Sequence, residues 1–297
     1  MKAIFSFLWL SGLLVFFNSA QAMDKADIFY YPKMSIQNEV PLVVVLHGCG
    51  TDAKSLETMT LWSRLAEEKK FAVLYPNLRQ SQNQINCWDW YDPAEQAPGG
   101  IQMTNILHSI QEALRYYPIQ TSRIYITGIS AGAAMAANLV SCFPNLFAAA
   151  GFHSGMSYGL VSSWQEALEV AQKGPQKKNQ YSSCNPKFFS GGVFVIHGSA
   201  DPVIDIKNSD QLVNDFIFSK NDEVTSESSI YPPEKNFLKI SELSYKITNF
   251  KRGSDLIGQN IRVEGLGHAW SGGKPHLLSD PRGPSATRLM WNFFEKF

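Results

Sequence analysis

The sequence lacks an excess of charge of either sign. Its 26 lysines and arginines balance 26 aspartates and glutamates, so the formal net charge is 0 at pH 7. Proteins that bind nucleic acids or anionic membranes usually carry a clear excess of basic residues. We therefore expect neither as a partner. After its N-terminal stretch the sequence also lacks the run of ~20 apolar residues that spans a bilayer, so we expect no stable membrane insertion.

Cysteine is scarce, and its spacing excludes two classes of site. The chain has four cysteines, and none of them forms a C-x-x-C motif. This spacing argues against a zinc ribbon and a thioredoxin-like redox site, and we expect no metal. An even number of cysteines in an exported protein favours two disulfides, and three pairings are possible. The residues are Cys49, Cys87, Cys142 and Cys184.

The N-terminus has the composition of a secretory signal peptide. Lys2 precedes an apolar stretch from Ala3 to Phe17, and Ala20-Gln21-Ala22 follows. A basic start, a short apolar core and an A-x-A end are typical of a cleaved leader. The alternative is a membrane anchor, but the apolar run is too short for one. We predict a signal peptide over residues 1–22, cleavage after Ala22, and a secreted or periplasmic mature protein.

Linkers and internal repeats are missing. No segment rich in proline, serine and threonine leads to a second module in the 297 residues. This length is sufficient for one large domain with a sizeable core. We therefore expect residues 23–297 to form a single catalytic domain, and no obligate protein partner is evident.

Strand-like and helix-like segments alternate along the chain. The continuous apolar run Pro41–His47 is typical of a strand covered on both faces. Alternation of this kind predicts a doubly wound, mostly parallel α/β sheet with helices on both faces. The predicted strands are Pro41–His47, Phe71–Pro76, Arg123–Thr127, Phe147–His153, Val193–His197 and Asn260–Glu264, and the predicted helices are Ala53–Lys70, Thr104–Tyr117, Ala131–Cys142 and Ala286–Phe297. We interpret Trp164–Ser190 and Lys220–Leu243, which are polar or charged, as insertions or loops.

A G-x-S-x-G motif lies between a predicted strand and a predicted helix. It reads Gly128-Ile129-Ser130-Ala131-Gly132. In a nucleophile elbow the glycines relieve a sharp turn that lifts the serine off the sheet. The first amides of the helix then face the reaction site. We predict Ser130 as the nucleophile, and a plain tight turn is the alternative.

A serine hydroxyl needs a general base, and in this fold the order is serine, acid, histidine. His268 lies in a glycine-rich loop between the last predicted strand and the last helix, where the base is expected. His276 is a weaker candidate in a polar loop. We interpret His153 and His197 as structural residues at strand ends.

The acid should follow a strand between the serine and the histidine. Asp201 comes directly after such a strand and a Gly-Ser-Ala turn, and Pro202 restrains the chain beyond it. Asp205 is the alternative, and Asp210 is better explained as part of a helix start. We predict Asp201 as the residue that orients His268, although a turn aspartate would look the same.

A tetrahedral oxyanion needs two N–H donors. The amide of Ala131 follows the nucleophile directly, and a second amide should come from a loop after an early strand. Leu46–Gly50 (LHGCG) is such a loop, and we assign the second donor to Cys49, with Gly48 as the alternative. This chemistry requires no cofactor.

Five motifs together resemble one known family. LHGCG, Asn86–Tyr91 (NCWDWY), GISAG, HGSAD and GHAWSGG occur in the order typical of secreted poly(3-hydroxybutyrate) depolymerase-type esterases of the α/β-hydrolase superfamily. The resemblance covers about Pro41 to Phe297. It implies a triad of Ser130, Asp201 and His268, and an oxyanion hole of Cys49 and Ala131. It also suggests a Cys49–Cys87 disulfide, which leaves Cys142 and Cys184 as the second pair.

The resemblance implies an ester substrate. We expect soluble oligoesters, amorphous polyester or small esters rather than crystalline polymer, because polymer-degrading members carry a linker and a separate binding domain. Related folds cleave feruloyl or acetyl groups from plant polysaccharides, which is the alternative substrate class. A non-catalytic binding protein with a vestigial site is a third possibility. Aromatic residues near the motifs are candidates for substrate contact, with core packing as the alternative: Trp270, Trp88, Trp90 and Tyr91.

Overall fold

The computed structural model describes residues 27–33, 38–78, 85–176, 184–218, 223–236 and 239–297. The predicted signal peptide, residues 1–22, lies outside this part of the chain. The strands are Ile28–Tyr30 (β1), Val40–Leu46 (β2), Ala72–Tyr75 (β3), Ile119–Ile129 (β4), Ala149–His153 (β5), Gly192–Gly198 (β6), Thr225–Tyr231 (β7), Glu234–Asn236 (β8), Lys239–Ser241 (β9), Tyr245–Arg252 (β10), Asp255–Val263 (β11), Trp270–Ser271 (β12) and Ser279–Asp280 (β13). The helices are Ala53–Thr60 (α1), Trp62–Lys69 (α2), Ile101–Tyr116 (α3), Ala131–Cys142 (α4), Trp164–Lys173 (α5), Lys207–Val213 (α6) and Ala286–Phe294 (α7).

Nine of the described strands form one sheet in the order β1-β3-β2-β4-β5-β6-β11-β10-β7. The central run from β3 to β11 is parallel. Antiparallel strands close both edges, β1 on one side and β10 with β7 on the other. The predicted doubly wound, mostly parallel α/β sheet is therefore confirmed.

Both faces of the sheet are covered by helices. Successive residues of β2 alternate between two apolar clusters, with Leu42 and Val44 in one and Val43 and Val45 in the other. Helices α3, α4, α5 and α6 contribute to the first cluster, and α1, α2 and α7 contribute to the second. Burial on both faces explains why β2 is a continuous apolar run rather than an alternating one.

The parallel direction of the central strands brings the predicted motifs together. LHGCG follows β2, GISAG straddles the end of β4, HGSAD straddles the end of β6, and GHAWSGG follows β11. The carboxyl ends of parallel strands lie at one edge of a sheet, and ligands of open α/β sheets bind outside that edge. Four segments far apart in sequence therefore meet at the same edge.

The predicted helix Ala53–Lys70 is two helices. Leu61 has φ 63°, ends α1 and begins α2, and so breaks the helical path between them. This left-handed conformation is uncommon outside glycine, asparagine and aspartate, and no such residue marks the break in the sequence. The apolar spacing of both halves is nevertheless kept, because Leu56 and Leu65 are both buried in the same cluster.

The two segments predicted as insertions contain regular structure. Trp164–Ser190 includes α5, which Ser163 caps by accepting a hydrogen bond from the Glu166 amide. Lys220–Leu243 includes the edge strand β7, whose residues are all exposed. Strand β10 was not predicted either. Within the described residues, no helix is long and apolar enough to cross a membrane.

Candidate active site

Ser130 lies on a sharp turn between β4 and α4. Its φ of 57° and ψ of −124° are strained for a residue with a side chain, and such strain costs about 1–3 kcal/mol. The Ser130 amide donates a hydrogen bond of 2.9 Å to the carbonyl of His153 on the neighbouring strand. A strained strand-to-helix serine is the geometry of a nucleophile elbow.

The two glycines of the motif allow this turn. A Cβ atom on Gly132 would lie 2.3 Å from the carbonyl oxygen of Leu46, and one on Gly128 would lie 2.5 Å from the carbonyl carbon of Gly132. Real Cβ atoms do not approach backbone atoms so closely. The glycines thus let α4 begin directly against the ends of β2 and β4, which holds Ser130 at the sheet edge.

Asp201 and His268 form a hydrogen-bonded pair at the same edge. The distance between Nδ1 of His268 and Oδ2 of Asp201 is 2.8 Å. A carboxylate only accepts hydrogen bonds, so Nδ1 carries a proton, and in the neutral form of the ring Nε2 keeps a lone pair. The other carboxylate oxygen, Oδ1, accepts the amides of Val203 and Ile204, both at 2.9 Å. The acid is therefore fixed by the turn that follows it.

The surroundings of Asp201 keep it ionised. Burial acts to raise its pKa, but hydrogen bonds from His197 and His268, together with the Ile204 amide, outweigh burial and lower the pKa well below its usual value. Each of these groups stabilises the charged form. A permanently charged acid can stabilise a cationic His268 ring.

The alternative acids and base have other partners. His276 is exposed, and its Nδ1 accepts a hydrogen bond from the Leu278 amide. Asp205 accepts the Lys207 amide, and Asp210 pairs with Arg262 on β11. Among the described contacts, Asp201 is the carboxylate that touches His268. The structure thus brings Asp201 and His268 together, and the described contacts of Asp205, Asp210 and His276 are with other residues.

The LHGCG loop, which is predicted to supply an oxyanion donor and is called the oxyanion loop below, lies against Ser130. A Cβ atom on Gly48 would lie 3.4 Å from Cβ of Ser130. The Gly48 carbonyl accepts hydrogen bonds from the Thr51 hydroxyl, at 2.9 Å, and from Nδ1 of His47, at 3.0 Å. Within the described residues, the amides of Cys49 and Ala131 donate to no backbone carbonyl. No described backbone carbonyl therefore competes for either amide, as the predicted oxyanion role requires.

Two disulfides are present, with the pairing that the family resemblance implies. Cys49 is bonded to Cys87, and Cys142 is bonded to Cys184. The first attaches the oxyanion loop to the segment that begins at Cys87. The second attaches the end of α4 to the chain beyond α5.

Breaking the first disulfide should lower both activity and stability. In a Cys87→Ser variant, Cys49 loses its covalent link, so one proposed oxyanion donor is less well positioned. We expect a roughly tenfold lower kcat and a free energy of unfolding lower by roughly 3–4 kcal/mol. Ester hydrolysis assays and urea unfolding would measure the two effects.

The matched control is Cys184→Ser, which breaks the other disulfide. It should lose similar stability and keep the wild-type kcat, because the Cys142–Cys184 bond lies at the far end of α4 from Ser130. Equal losses of kcat in both variants would contradict a specific role of Cys49.

Three of the four predicted substrate-binding aromatics are in the core. Trp270, Trp88 and Trp90 are at most 4% exposed. The Trp270 indole donates to the Thr287 hydroxyl, at 3.2 Å, and the Trp88 indole donates to the His47 carbonyl, at 2.9 Å. The structure therefore places these three indoles among core residues, and contact of any of them with substrate stays a prediction.

Tyr91 is the one partly exposed member of this group. Its hydroxyl donates to Oδ1 of Asp89 at 3.1 Å, and its ring packs against Trp90 and Trp164. Burial, reinforced by the nearby Asp89 charge, raises the pKa of Tyr91 to about 12. The hydroxyl therefore stays protonated at neutral pH, and Tyr91 remains a candidate for substrate contact.

His153 connects the nucleophile to the loop of the base. Its carbonyl accepts the Ser130 amide, and its Nε2 accepts the Ser271 amide at 3.1 Å. Its ring also stacks on Trp270, with centroids 5.0 Å apart. Sequence reasoning gave His153 a structural role, and these contacts fit that role: the residue fixes the position of the His268 loop relative to β5.

The ring of His153 should make the fold sensitive to acid. Burial, followed by the nearby His197 and His268, lowers the pKa of His153 from 6.5 to about 3. Below pH 6.5 the unfolded chain binds a proton here that the folded chain does not. The free energy of unfolding should therefore fall by up to about 1.4 kcal/mol per pH unit between about pH 6.5 and 3.

Urea unfolding across this pH range would test the effect. In His153→Gln the amide oxygen can still accept from Ser271 but cannot titrate, so the slope should become shallower. His276→Gln, at an exposed ring, should keep the wild-type slope. Identical slopes in all three proteins would show that His153 does not carry the acid sensitivity.

Three residues near the site were not predicted to belong to it. His197 contacts Asp201, with 3.2 Å between Nε2 and Oδ2. Ile85 and Val203 are apolar and about half exposed. The Ile85 carbonyl accepts the Gly50 amide of the oxyanion loop, and the Val203 amide donates to Asp201, so both lie next to the site. The sequence offered one signal for Val203, namely its position two residues after the predicted acid.

A sequence comparison identifies the family of this chain. The family model described as esterase PHB depolymerase matches residues 26–225. Poly(3-hydroxyalkanoate) depolymerase C of Paucimonas lemoignei is 26% identical over 254 residues, which cover 82% of this chain and 58% of the relative. Acetylxylan esterase A of Talaromyces purpureogenus is 27% identical over 259 residues, which cover 80% of this chain and 62% of the relative. The chain thus spans about three fifths of the length of these two relatives.

A solved structure has the same fold. The acetyl xylan esterase from Aspergillus awamori superposes with a TM-score of 0.64 at 20% identity, over 91% of this chain and 93% of that one. At this identity the likeness establishes the fold, which is that of an α/β-hydrolase.

Proposed function

Because this chain belongs to the PHB depolymerase esterase family, we propose that it is a serine carboxylic-ester hydrolase whose triad is Ser130, His268 and Asp201. The observation that carries the proposal is the contact between Nδ1 of His268 and the carboxylate of Asp201. This contact leaves Nε2 of His268 as the free base, at the sheet edge where the strained Ser130 also lies.

The proposed reaction is a two-step acyl transfer. Nε2 of His268 accepts the Ser130 proton as Oγ attacks the ester carbonyl, and Asp201 stabilises the imidazolium. The amides of Ala131 and Cys49 bind the oxyanion, with Gly48 as the alternative donor, and each such donor lowers the barrier by about 3–4 kcal/mol. His268 then protonates the leaving alcohol. Water attacks the acyl-enzyme, with His268 again as the base, and free Ser130 is regenerated.

We propose short-chain hydroxyalkanoate polyester, or its oligomers, as the substrate. The similarity to a poly(3-hydroxyalkanoate) depolymerase supports this substrate class. Two apolar residues, Ile85 and Val203, are each about half exposed, and their backbones are hydrogen-bonded to Gly50 and Asp201; Tyr91 is also partly exposed. These three side chains are the proposed contacts for an apolar acyl chain.

The alternative is a carboxylesterase that removes acetyl or feruloyl groups from plant polysaccharides. The acetylxylan esterase relative, which matches this chain over a similar length at similar identity, supports it. The same triad would serve both substrate classes, so the difference lies in the groups around it.

A substrate panel separates these functions. The purified protein would be assayed on 3-hydroxybutyrate oligomers, acetylated xylan, feruloyl esters and p-nitrophenyl acetate. The highest kcat/KM on the oligomers would support the proposed function, and the highest on acetylated xylan or feruloyl esters would support the alternative. Absence of turnover on every ester, together with no labelling by a fluorophosphonate, would overturn both and favour a non-catalytic binding protein.

We also propose that residues 1–22 direct export and that residues 23–297 form one catalytic domain. The two disulfides support export, since such bonds persist in oxidising compartments. N-terminal sequencing of the mature protein should begin at Met23. A mature chain that retains Met1 in a membrane fraction would instead indicate an anchor.

A further inference from the structure

His197 lies beside the proposed acid, Asp201. It is the penultimate residue of β6, four residues before Asp201, and both side chains are at most 1% exposed. Nε2 of His197 lies 3.2 Å from Oδ2 of Asp201, the same oxygen that accepts the hydrogen bond from Nδ1 of His268. Two imidazole rings thus share one carboxylate oxygen.

The other contacts of His197 fix the direction of its ring. Nε2 also lies 2.9 Å from the carbonyl oxygen of Ile204, and a carbonyl only accepts, so Nε2 carries a proton. Nδ1 lies 2.5 Å from the hydroxyl of the buried Ser209 on α6. The ring is thus held at Ile204 and Ser209, and the single proton on Nε2 is shared between the Ile204 carbonyl and Asp201.

We propose that His197 is a positioning residue that holds the Asp201 carboxylate in the orientation required by His268. With His197, Asp201 has four nitrogen neighbours, two amides at Oδ1 and two imidazoles at Oδ2, and the His197 proton is shared with the Ile204 carbonyl. Rotation of the carboxylate would disturb the contacts of both oxygens. The inference rests on the proposed function, because it concerns how the triad is held.

Sharing Oδ2 has a second effect, on proton affinity. The hydrogen bond from His197 uses part of the electron density of Oδ2, so Asp201 attracts the proton of His268 less strongly than an unshared carboxylate would. The charged and titratable groups around the His268 ring are Asp201, His197 and His153. Removing the His197 donor should therefore favour the protonated, inactive form of His268.

The central variant is His197→Leu, which removes the donor. We expect kcat to fall roughly tenfold with KM unchanged, because the variant loses the orientation of His268 and keeps the substrate contacts. We expect the acid limb of the kcat/KM profile to move to higher pH by about half a unit or more. His197→Gln, whose amide can donate to Asp201, should restore most of the wild-type kcat and most of the wild-type position of the acid limb. Ser209→Ala should give a smaller change in the same direction.

The matched control is Val195→Ala, which truncates a buried side chain two residues earlier on β6. It should lower the thermal midpoint without moving the pH profile. If His197→Leu keeps the wild-type kcat and acid limb, or if Val195→Ala moves the limb equally, the positioning role is refuted.

Proton NMR gives a readout that does not depend on turnover. The proton between Nδ1 of His268 and Asp201 should resonate far downfield in the wild type and further downfield in His197→Leu. If this signal moves but the wild type hydrolyses no ester, the proposed function fails while the coupling of the two histidines stands. If the wild type is active and the signal, the limb and kcat are all unchanged in His197→Leu, only this inference fails.

Discussion

Ser130→Ala is expected to abolish ester hydrolysis and leave the fold intact. Removing the nucleophile of a serine hydrolase lowers kcat by roughly 10⁴–10⁶-fold, and the residual rate comes from the oxyanion hole and substrate binding. Alanine has a Cβ as serine does, so it meets the same strain at φ 57° and should not shift the turn. Hydrolysis of p-nitrophenyl acetate and labelling by a fluorophosphonate measure the loss.

Ser141→Ala is the matched control for this variant. Ser141 is a buried serine of the same helix, α4, and its hydroxyl donates to the Ala137 carbonyl. The chemical change is the same, but no part of the proposed site is touched. We expect wild-type kcat and full labelling in Ser141→Ala. Wild-type turnover in a folded Ser130→Ala protein would disprove the assignment of the nucleophile.

Asp201→Asn is expected to lower kcat by roughly 10³–10⁴-fold. The carboxylate accepts N–H groups on both oxygens, and an asparagine has one oxygen and one NH₂ group. If the NH₂ faces His268, Nδ1 must become the acceptor and Nε2 must carry the proton. The ring then cannot take the proton of Ser130. If the NH₂ faces Val203 and Ile204 instead, the two backbone amides there lose their acceptor and meet another donor.

The matched control is Asp205→Asn, the alternative acid of the same chain segment. Asp205 accepts the Lys207 amide and should affect only that local turn, so kcat should stay within about twofold of the wild type. Comparison of kcat/KM for the two variants, with circular dichroism to confirm folding, decides between them. A greater loss in Asp205→Asn would reverse the assignment.

The sequence predicted those elements whose burial is uniform and whose ends carry a motif. Strand β2 is buried along its whole length, so its apolar run is unambiguous. The start of α4 was predicted at Ala131 because the G-x-S-x-G motif marks it, and the structure begins the helix there. The same signals predicted that the motifs would meet at one edge of the sheet, since parallel strands place their carboxyl ends together.

Elements whose character depends on tertiary contacts were not predicted. Strand β7 is exposed along its length and has no apolar pattern, because it lies at the edge of the described sheet, where it pairs with β10. The break at Leu61 leaves no local signal, since apolar spacing continues through it. In the same way, the burial of Trp270 depends on Thr287 and His153, which lie far away in sequence.

His197 shows why a motif does not reveal every role of its residues. HGSAD suggested one functional residue, Asp201, and a histidine at a strand end. The chain reverses direction between His197 and Asp201, which places Nε2 of the ring against the carboxylate. Sequence spacing alone does not show whether a side chain four residues away in a turn points toward its neighbour. The geometry of that turn decides it.

The bond between Cys49 and Cys87 has a practical consequence for preparing this protein. The same residue is proposed to supply an oxyanion amide and supplies a thiol to a disulfide, so oxidation of the chain and assembly of the site are linked. Material produced in a reducing cytoplasm would fold without the Cys49–Cys87 bond and would hydrolyse any ester with a lower kcat. The specific activity of such a preparation should fall as its content of free thiols rises. Treatment with an oxidising glutathione buffer should restore the activity.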